Sequence, residues 1–419
     1  MKLIPQRKIL DNGLHIIYYQ SPYNPFIAFR GSLKAGAASE DQRGVAEFTS
    51  RLLLSGTKTR DASQLADMIE KLGATIDFRN SEEAVHFFGR CPRSTSLNFF
   101  KIFMDILSNP SFPNSEVERV RGGITDDIRM DLDNTSRQAI HELLGGIYPH
   151  HVYGRDPRGE QHDVKRVEHS NIKEFHSSHY GPNGMIIALA GDVDQNFIEK
   201  KIAPCFLKFE GESEALKLPT PHPANKIFKV IPMLHKSQAD IALGLRAIPR
   251  NHVDFHALGM VNLLFGRIGL YGRLGQNIRD EQGLAYYSYS TLNSKLVGGH
   301  WNVIAGVNPG NLQKALDSIK KEIERLHNEP LTKQEIKDGK DNQVGVLKVA
   351  LERNAEIAAE LHRIEYFGLE LDYLEKYPNI INELSTSQIH QAAEKYIRLE
   401  DCTIAIAGPV PKSLKLELH

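Results

Sequence analysis

A chain of 419 residues with 51 Lys and Arg against 52 Asp and Glu has a formal net charge of -1. That argues against a dedicated nucleic-acid or anionic-membrane binder, which needs a basic excess to displace counterions from phosphates. The 41% hydrophobic and 25% charged content fits a soluble globular protein and excludes disordered, collagen-like and disulfide-dense classes, and the length suggests two or three domains of roughly 100–200 residues.

From the amino terminus, Met1-Lys2-Leu3-Ile4-Pro5 runs into Gln6-Arg7-Lys8 without an apolar stretch, so no secretory signal is read there. Leu14–Tyr19 and Ile27–Leu33 read as strands parted by a turn at Pro22 and Pro25. Val45–Leu54 has helical periodicity and stops at Ser55-Gly56. A second amphipathic helix, Leu65–Leu72, precedes the strands Thr75–Arg79 and Ala84–Arg90 and a helix around Leu97–Leu107. Ser170 and Ile172 open a helical pattern that leads to the apolar strand at Ile186–Ala190, far shorter than the roughly 20 residues of a membrane span. Phe209–Lys226 carries an acidic run and Pro219, Pro221 and Pro223, the composition of a semi-rigid linker.

Beyond it come a strand at Asp240–Leu245, a helix at His256–Leu264, strands at Tyr286–Thr291 and Gly298–Gly306, and helices at Leu312–Leu326 and Lys333–Arg353. Thr403-Ile404-Ala405-Ile406-Ala407-Gly408-Pro409-Val410 then repeats Ile186–Val193, with five identities in eight at an offset of 217 (403 − 186). Ser387 and Ile389 fall on Ser170 and Ile172 at the same offset, which indicates a duplicated domain. The expected organisation is an amino-terminal domain over 1–210, a linker over 211–225 and a carboxy-terminal domain over 226–419. Each domain is an α+β sandwich with a mainly antiparallel sheet. Cys91, Cys205 and Cys402 form no close pair and read as reduced thiols; with no visible signal or span, the expected location is cytoplasmic unless a leader has been removed.

Several segments in one order carry a family resemblance. Gly44-Val45-Ala46-Glu47-Phe48-Thr49-Ser50-Arg51-Leu52 followed by Gly56-Thr57, Tyr153-Gly154-Arg155-Asp156-Pro157, Tyr180-Gly181-Pro182-Asn183, and Arg279-Asp280-Glu281-Gln282-Gly283-Leu284-Ala285-Tyr286 are all similar to segments of the pitrilysin/insulinase metallopeptidases. Within that family the chain resembles the two-domain subunits typified by mitochondrial processing peptidase. The resemblance implies a zinc motif, H-x-x-E-H, whose two His at i and i+4 bind the metal while the Glu acts as base on a bound water. Here those places hold Glu47, Ser50 and Arg51, and the place of the family's third ligand falls on Asp127. Arg51 stays protonated and has no lone pair to give. The positions are therefore a degenerate zinc site, and no metal or other cofactor is expected on this chain. Glu47 and Arg51 have the favourable order for an i, i+4 ion pair, and Asp127 is expected to join it if it still approaches that helix face.

In the family, an Arg and a Tyr seven residues apart in the second half hold the substrate backbone near the scissile bond; Arg279 and Tyr286 have that spacing. Guanidinium and phenol donors suit a developing oxyanion. The resemblance then implies a heterodimer in which a homologous partner carries zinc and this chain supplies Arg279 and Tyr286. This chain would be inactive alone, with endopeptidase action on unfolded peptides only in the pair. The alternative is an inert structural protein of the same fold, as the core subunits of the respiratory cytochrome bc complex are. Neither a nucleic acid nor a membrane is expected as partner. His176 and His179 have i, i+3 spacing but no following carboxylate, and His150-His151 read as loop residues. Gly266–Gly272 lacks the Lys of a phosphate loop and reads as a flexible approach to the Arg279 helix.

Overall fold

The computed structural model describes residues 3–21, 24–224, 226–329, 331–411 and 414, with 270 and 271 in backbone only. Pro22, half of the expected first turn, lies outside the described residues. The chain forms two compact units: one comprises residues 1–128, 156–218 and 347–375, the other 129–155, 219–346 and 376–419.

The first unit holds strands β1 (Gln6–Ile9), β2 (His15–Gln20), β3 (Phe26–Leu33), the short pair β4 (Gly56–Thr57) and β5 (Arg60–Asp61), then β6 (Thr75–Asn80), β7 (Val85–Pro92) and β8 (Ile186–Gly191). Its main sheet runs β1-β2-β8-β3-β7-β6, antiparallel except for β2 beside β8. The second unit holds β9 (Phe228–Pro232), β10 (Ala239–Arg246), β11 (Ala285–Ser294), β12 (Gly299–Val307) and β13 (Thr403–Gly408) in the order β11-β12-β10-β13-β9, with only β9 and β13 parallel. The repeat is thus structural: β2, β3, β6, β7 and β8 have the same connectivity as β9, β10, β11, β12 and β13, and the mixed α+β architecture follows from it.

Large and small residues alternate along these strands, and that alternation decides what covers each face. In β8, Ile187 and Leu189 join the core of the first unit with Phe29, Phe87, Phe99, Phe100 and Phe103, while Ala188 and Ala190 face the other way. In β13, Ile404 and Ile406 enter the second core and Ala405 and Ala407 do not. Every residue of β8, β12 and β13 is buried, so both faces need cover. The alanine faces are covered by exchanged helices. Helix Asn354–Tyr366, late in the chain, packs on β2, β3 and β8, and helix Thr135–Ile147, early in the chain, packs on β10 and β13.

This exchange makes the units discontinuous in sequence. The break at Leu218/Pro219 falls inside the proline-bearing segment, whereas 129–155 and 347–375 cross to the opposite unit. The helices Asn114–Leu132, Thr135–Ile147, Asn354–Tyr366 and Tyr373–Glu383 and strands β1 and β9 are additions to the elements read from sequence. The long helix expected to reach Arg353 ends at Ala350.

Candidate functional site

The helix Val45–Leu52 opens at Gly44, whose φ of +91° favours glycine, and its first N–H groups are met by Glu40, which accepts from Gly44 at 3.0 Å and Ala46 at 3.2 Å. Val45, Phe48 and Leu52 point into the aromatic core, which turns Glu47 and Arg51 toward the helix Asn114–Leu132 carrying Asp127. Arg51 lies between the two acids: Nε donates to Glu47 Oε1 at 2.6 Å and Nη2 to Asp127 Oδ2 at 2.8 Å. Gly123, one helical turn before Asp127, faces the guanidinium; a Cβ there would make an ordinary van der Waals contact with Arg51 Nη1 at 3.9 Å. Burial works to lower the Arg51 pKa, but the Glu47 charge and the hydrogen bonds to Asp127 and Glu47 outweigh it and hold the group above its ordinary value.

Glu47 is only 7% exposed, so its charge is tolerated because Arg51 meets it. Ser50 stands apart from the ion pair, and its hydroxyl donates to the Glu47 backbone carbonyl at 2.9 Å. Buried Tyr180 packs nearby; burial first, then the Glu47 charge, pushes its phenol above the usual range. A divalent cation does not fit this donor set. It offers two carboxylates, both already engaged by a permanently charged guanidinium, and no imidazole or thiolate. Among the described residues no group of three or more His, Cys, Asp or Glu is arranged to hold a metal ion.

Arg279 and Tyr286 belong to the second unit. Arg279 sits in a π-helical turn, Gln276–Glu281, whose Ile278 is sunk in the core and whose Asn277 donates to buried Glu322 on helix Leu312–Asn328. Such turns interrupt α-helices often at functional positions. The Arg279 side chain is partly exposed and lies 3.9 Å from Asp280. Gly283, at φ +61°, ends the turn, with the Leu284 N–H returning to the Ile278 carbonyl at 2.9 Å.

The register of β11 against β12 then shifts between Ala285 and Tyr287, which makes Tyr286 the extra residue of a β-bulge. Bulges re-aim side chains, and Tyr286 is 63% exposed. The bulge is anchored by a buried cluster that the sequence pattern does not reveal. Tyr287 reaches across Gly306, where a Cβ would meet its ring at 2.7 Å, and donates to Asp240. Asp240 also accepts from Thr135 Oγ1 at 2.5 Å and Gln238 Nε2 at 3.0 Å. Burial and the Asp240 carboxylate raise the Tyr287 pKa. The one signal in the sequence is an Asp inside an otherwise apolar strand.

His176, His179 and His151 have structural partners. His176 Nε2 donates to the Leu107 carbonyl at 2.8 Å, and burial lowers its pKa to about 4; buried His179 bonds the Phe175 carbonyl through Nδ1 at 3.1 Å. His151 donates to the Pro219 carbonyl and accepts from the Tyr153 N–H, each at 3.1 Å, while His150 takes a φ of +59° beside it. Gly266–Gly272, expected to be a flexible approach, instead belongs to the helices Phe255–Gly266 and Ile268–Gly275. Two of its three glycines serve close packing: a Cβ on Gly266 would lie 2.3 Å from Ser290 Oγ, and one on Gly272 2.5 Å from the Leu264 carbonyl. The side chains of Leu270 and Tyr271 lie outside the described residues.

Residues 15–147 match the profile of the family described as Insulinase (Peptidase family M16), and residues 166–343 that of the Peptidase M16 inactive domain. Over 96% of its length the chain is 21% identical to the uncharacterized zinc protease YmxG of Bacillus subtilis, covering 98% of that protein. It is 24% identical to an uncharacterized zinc protease of Rickettsia bellii, over 96% of both chains. Among solved structures it is similar to a peptidase M16 inactive domain from Pseudomonas fluorescens, with a TM-score of 0.90 at 23% identity over 99% of this chain and all of that one. A protease from Helicobacter pylori gives a TM-score of 0.88 at 21% identity, over 98% of this chain and 100% of the other. These structural likenesses show the fold. No helix among the described residues is long and apolar enough to cross a membrane.

Proposed function

Because the chain belongs to the insulinase family of peptidases, M16, we propose that it is the non-zinc subunit of a two-chain peptidase, working on unfolded peptides beside a homologous subunit that carries the metal. The observation that carries this reading is Arg51: its guanidinium occupies the space between Glu47 and Asp127 and satisfies both charges. The fixed cation answers the acids electrostatically but has no coordination position for water, so it cannot generate a metal-bound nucleophile.

What this chain adds is donors. Arg279 presents N–H groups from a pinned helical turn, and Tyr286 presents its phenol from the bulge. Both are suited to hold an extended backbone and to stabilise an oxyanion formed at the partner's metal. The exposure of Tyr286 supports the reading, since a phenol held clear of the core can donate to a bound ligand.

The test is peptide cleavage by this chain mixed with a zinc-bearing homologue. Arg279→Ala and Tyr286→Phe are each expected to lower kcat/KM of the mixture by about 10²-fold, the order found when one oxyanion donor is removed, without preventing assembly. Unchanged cleavage by both variants contradicts the role given to the pair and favours an inert structural subunit.

A further inference from the structure

The face of the first sheet that turns away from its aromatic core is only partly covered by helix Asn354–Tyr366, which packs on β2, β3 and β8. On the side toward β7 and β6 the register sets Arg30 opposite Phe88 and Phe88 opposite Asp77, with Arg79 two residues further along the edge strand β6. The Phe88 ring has two guanidinium neighbours, Arg79 at 5.0 Å and Arg30 at 5.6 Å from its centroid. Arg79 is exposed and shares Asp77 at 3.3 Å. Arg30 is different: it is half-buried, and its side chain makes no hydrogen bond or ion pair with another described residue.

Burial first, then the like charge of Arg363, with a further contribution from Arg79, depresses the Arg30 pKa against the weaker opposing pull of Glu356 and Glu360. Those two acids have nearer partners, Glu360 bonding Arg363 at 2.9 Å and Glu356 bonding Arg353 at 3.3 Å. A half-buried cation crowded by cations and lacking a counter-ion is costly to the folded state. A planar anion would remove that cost, because guanidinium matches carboxylate in shape and stacks on aromatic faces.

We propose that Arg30, Arg79 and Phe88 form a subsite for the carboxylate of an Asp or Glu side chain in a bound polypeptide, so that this chain selects acidic peptide segments. The inference rests on the peptide-binding reading above and adds a substrate class to it. An open site with one ring and two guanidinium groups is suited to reading one residue of a longer ligand rather than enclosing a small diacid.

Fluorescence anisotropy of the full chain at low salt tests it, with two labelled unstructured peptides identical except that one carries Glu where the other carries Gln. The Glu peptide is expected to bind about tenfold more tightly. Arg30→Gln and Arg79→Gln should each shrink that advantage by weakening the Glu peptide far more than the Gln peptide. Because Arg30 is unpaired, Arg30→Gln should melt no earlier than the parent, which separates lost recognition from lost folding. Equal binding of the two peptides overturns the subsite alone, as does an advantage that survives both substitutions. Binding of neither peptide overturns the subsite together with the reading it rests on. Competition by free glutarate as strong as by the Glu peptide overturns the assignment to a polypeptide.

Discussion

Arg51 shows how one guanidinium can hold two carboxylates from different helices in place. Glu47 is buried where the carboxylate is expensive to desolvate, and the guanidinium meets it at 2.6 Å while reaching Asp127 at 2.8 Å. Removing Arg51 leaves Glu47 buried without its cation, a loss that reaches about 3–5 kcal/mol for fully enclosed pairs. The Arg51 and Asp127 side chains are about one-third exposed, at 33% and 36%, so solvent screening reduces the expectation for Arg51→Ala to about 1–3 kcal/mol. A urea titration measures it; a change below about 0.5 kcal/mol, the range of ordinary surface substitutions, would mean that the three ions are simply solvated. The i, i+4 half of this arrangement was legible from residue spacing alone. Asp127 was placed only through the family resemblance, because nothing local announces which face of a distant helix will meet Arg51.

At the scale of elements, most strands and core helices followed from periodicity, since alternating large residues and amphipathic stripes report directly on burial. The exchanged helices did not. Thr135–Ile147 and Asn354–Tyr366 pack against alanine-lined faces, where close backbone approach and a few polar contacts replace a broad apolar stripe. Those polar contacts make the second exchanged helix sensitive to acid. His362 Nε2 bonds Ser32 Oγ at 2.9 Å, and the His362 ring lies 5.6 Å from that of His86. Burial first, then the charges of His86, Arg30 and Arg363, holds its pKa well below 6.5. His176 and His256 are also lowered to about 4, chiefly by burial.

A histidine with a depressed folded pKa stays neutral while the unfolded chain takes up the proton. Its contribution is therefore intact above pH 6.5 and is lost as pH falls from there toward the folded value. For His362, the most buried of the three, the loss is up to about 2 kcal/mol at pH 5. Urea midpoints measured between pH 7.5 and 5 should fall with pH, and His362→Gln should flatten the decline by up to about that amount. An identical pH slope in the variant would remove His362 from the account.

For the whole molecule, the 217-residue repeat reappears as two units of matching sheet connectivity. Two units of the same strand order divide the expected tasks: one holds the Glu47–Arg51–Asp127 ion pairs, and the other presents Arg279 and an out-turned Tyr286. The family and the duplicated α+β sandwich were legible because short strand-end and helix motifs recur in order. The bulge that exposes Tyr286 was not, since a one-residue register shift depends on Gly306 and Asp240 in neighbouring strands rather than on the local pattern.

The central claim, that this chain contributes to peptide cleavage without holding zinc itself, is tested most directly by measuring metal content and peptidase activity on the purified chain, alone and then mixed with a zinc-bearing homologue. The chain alone should hold substoichiometric zinc and cleave nothing, with cleavage appearing on mixing. Stoichiometric zinc accompanied by cleavage in the isolated chain would contradict it.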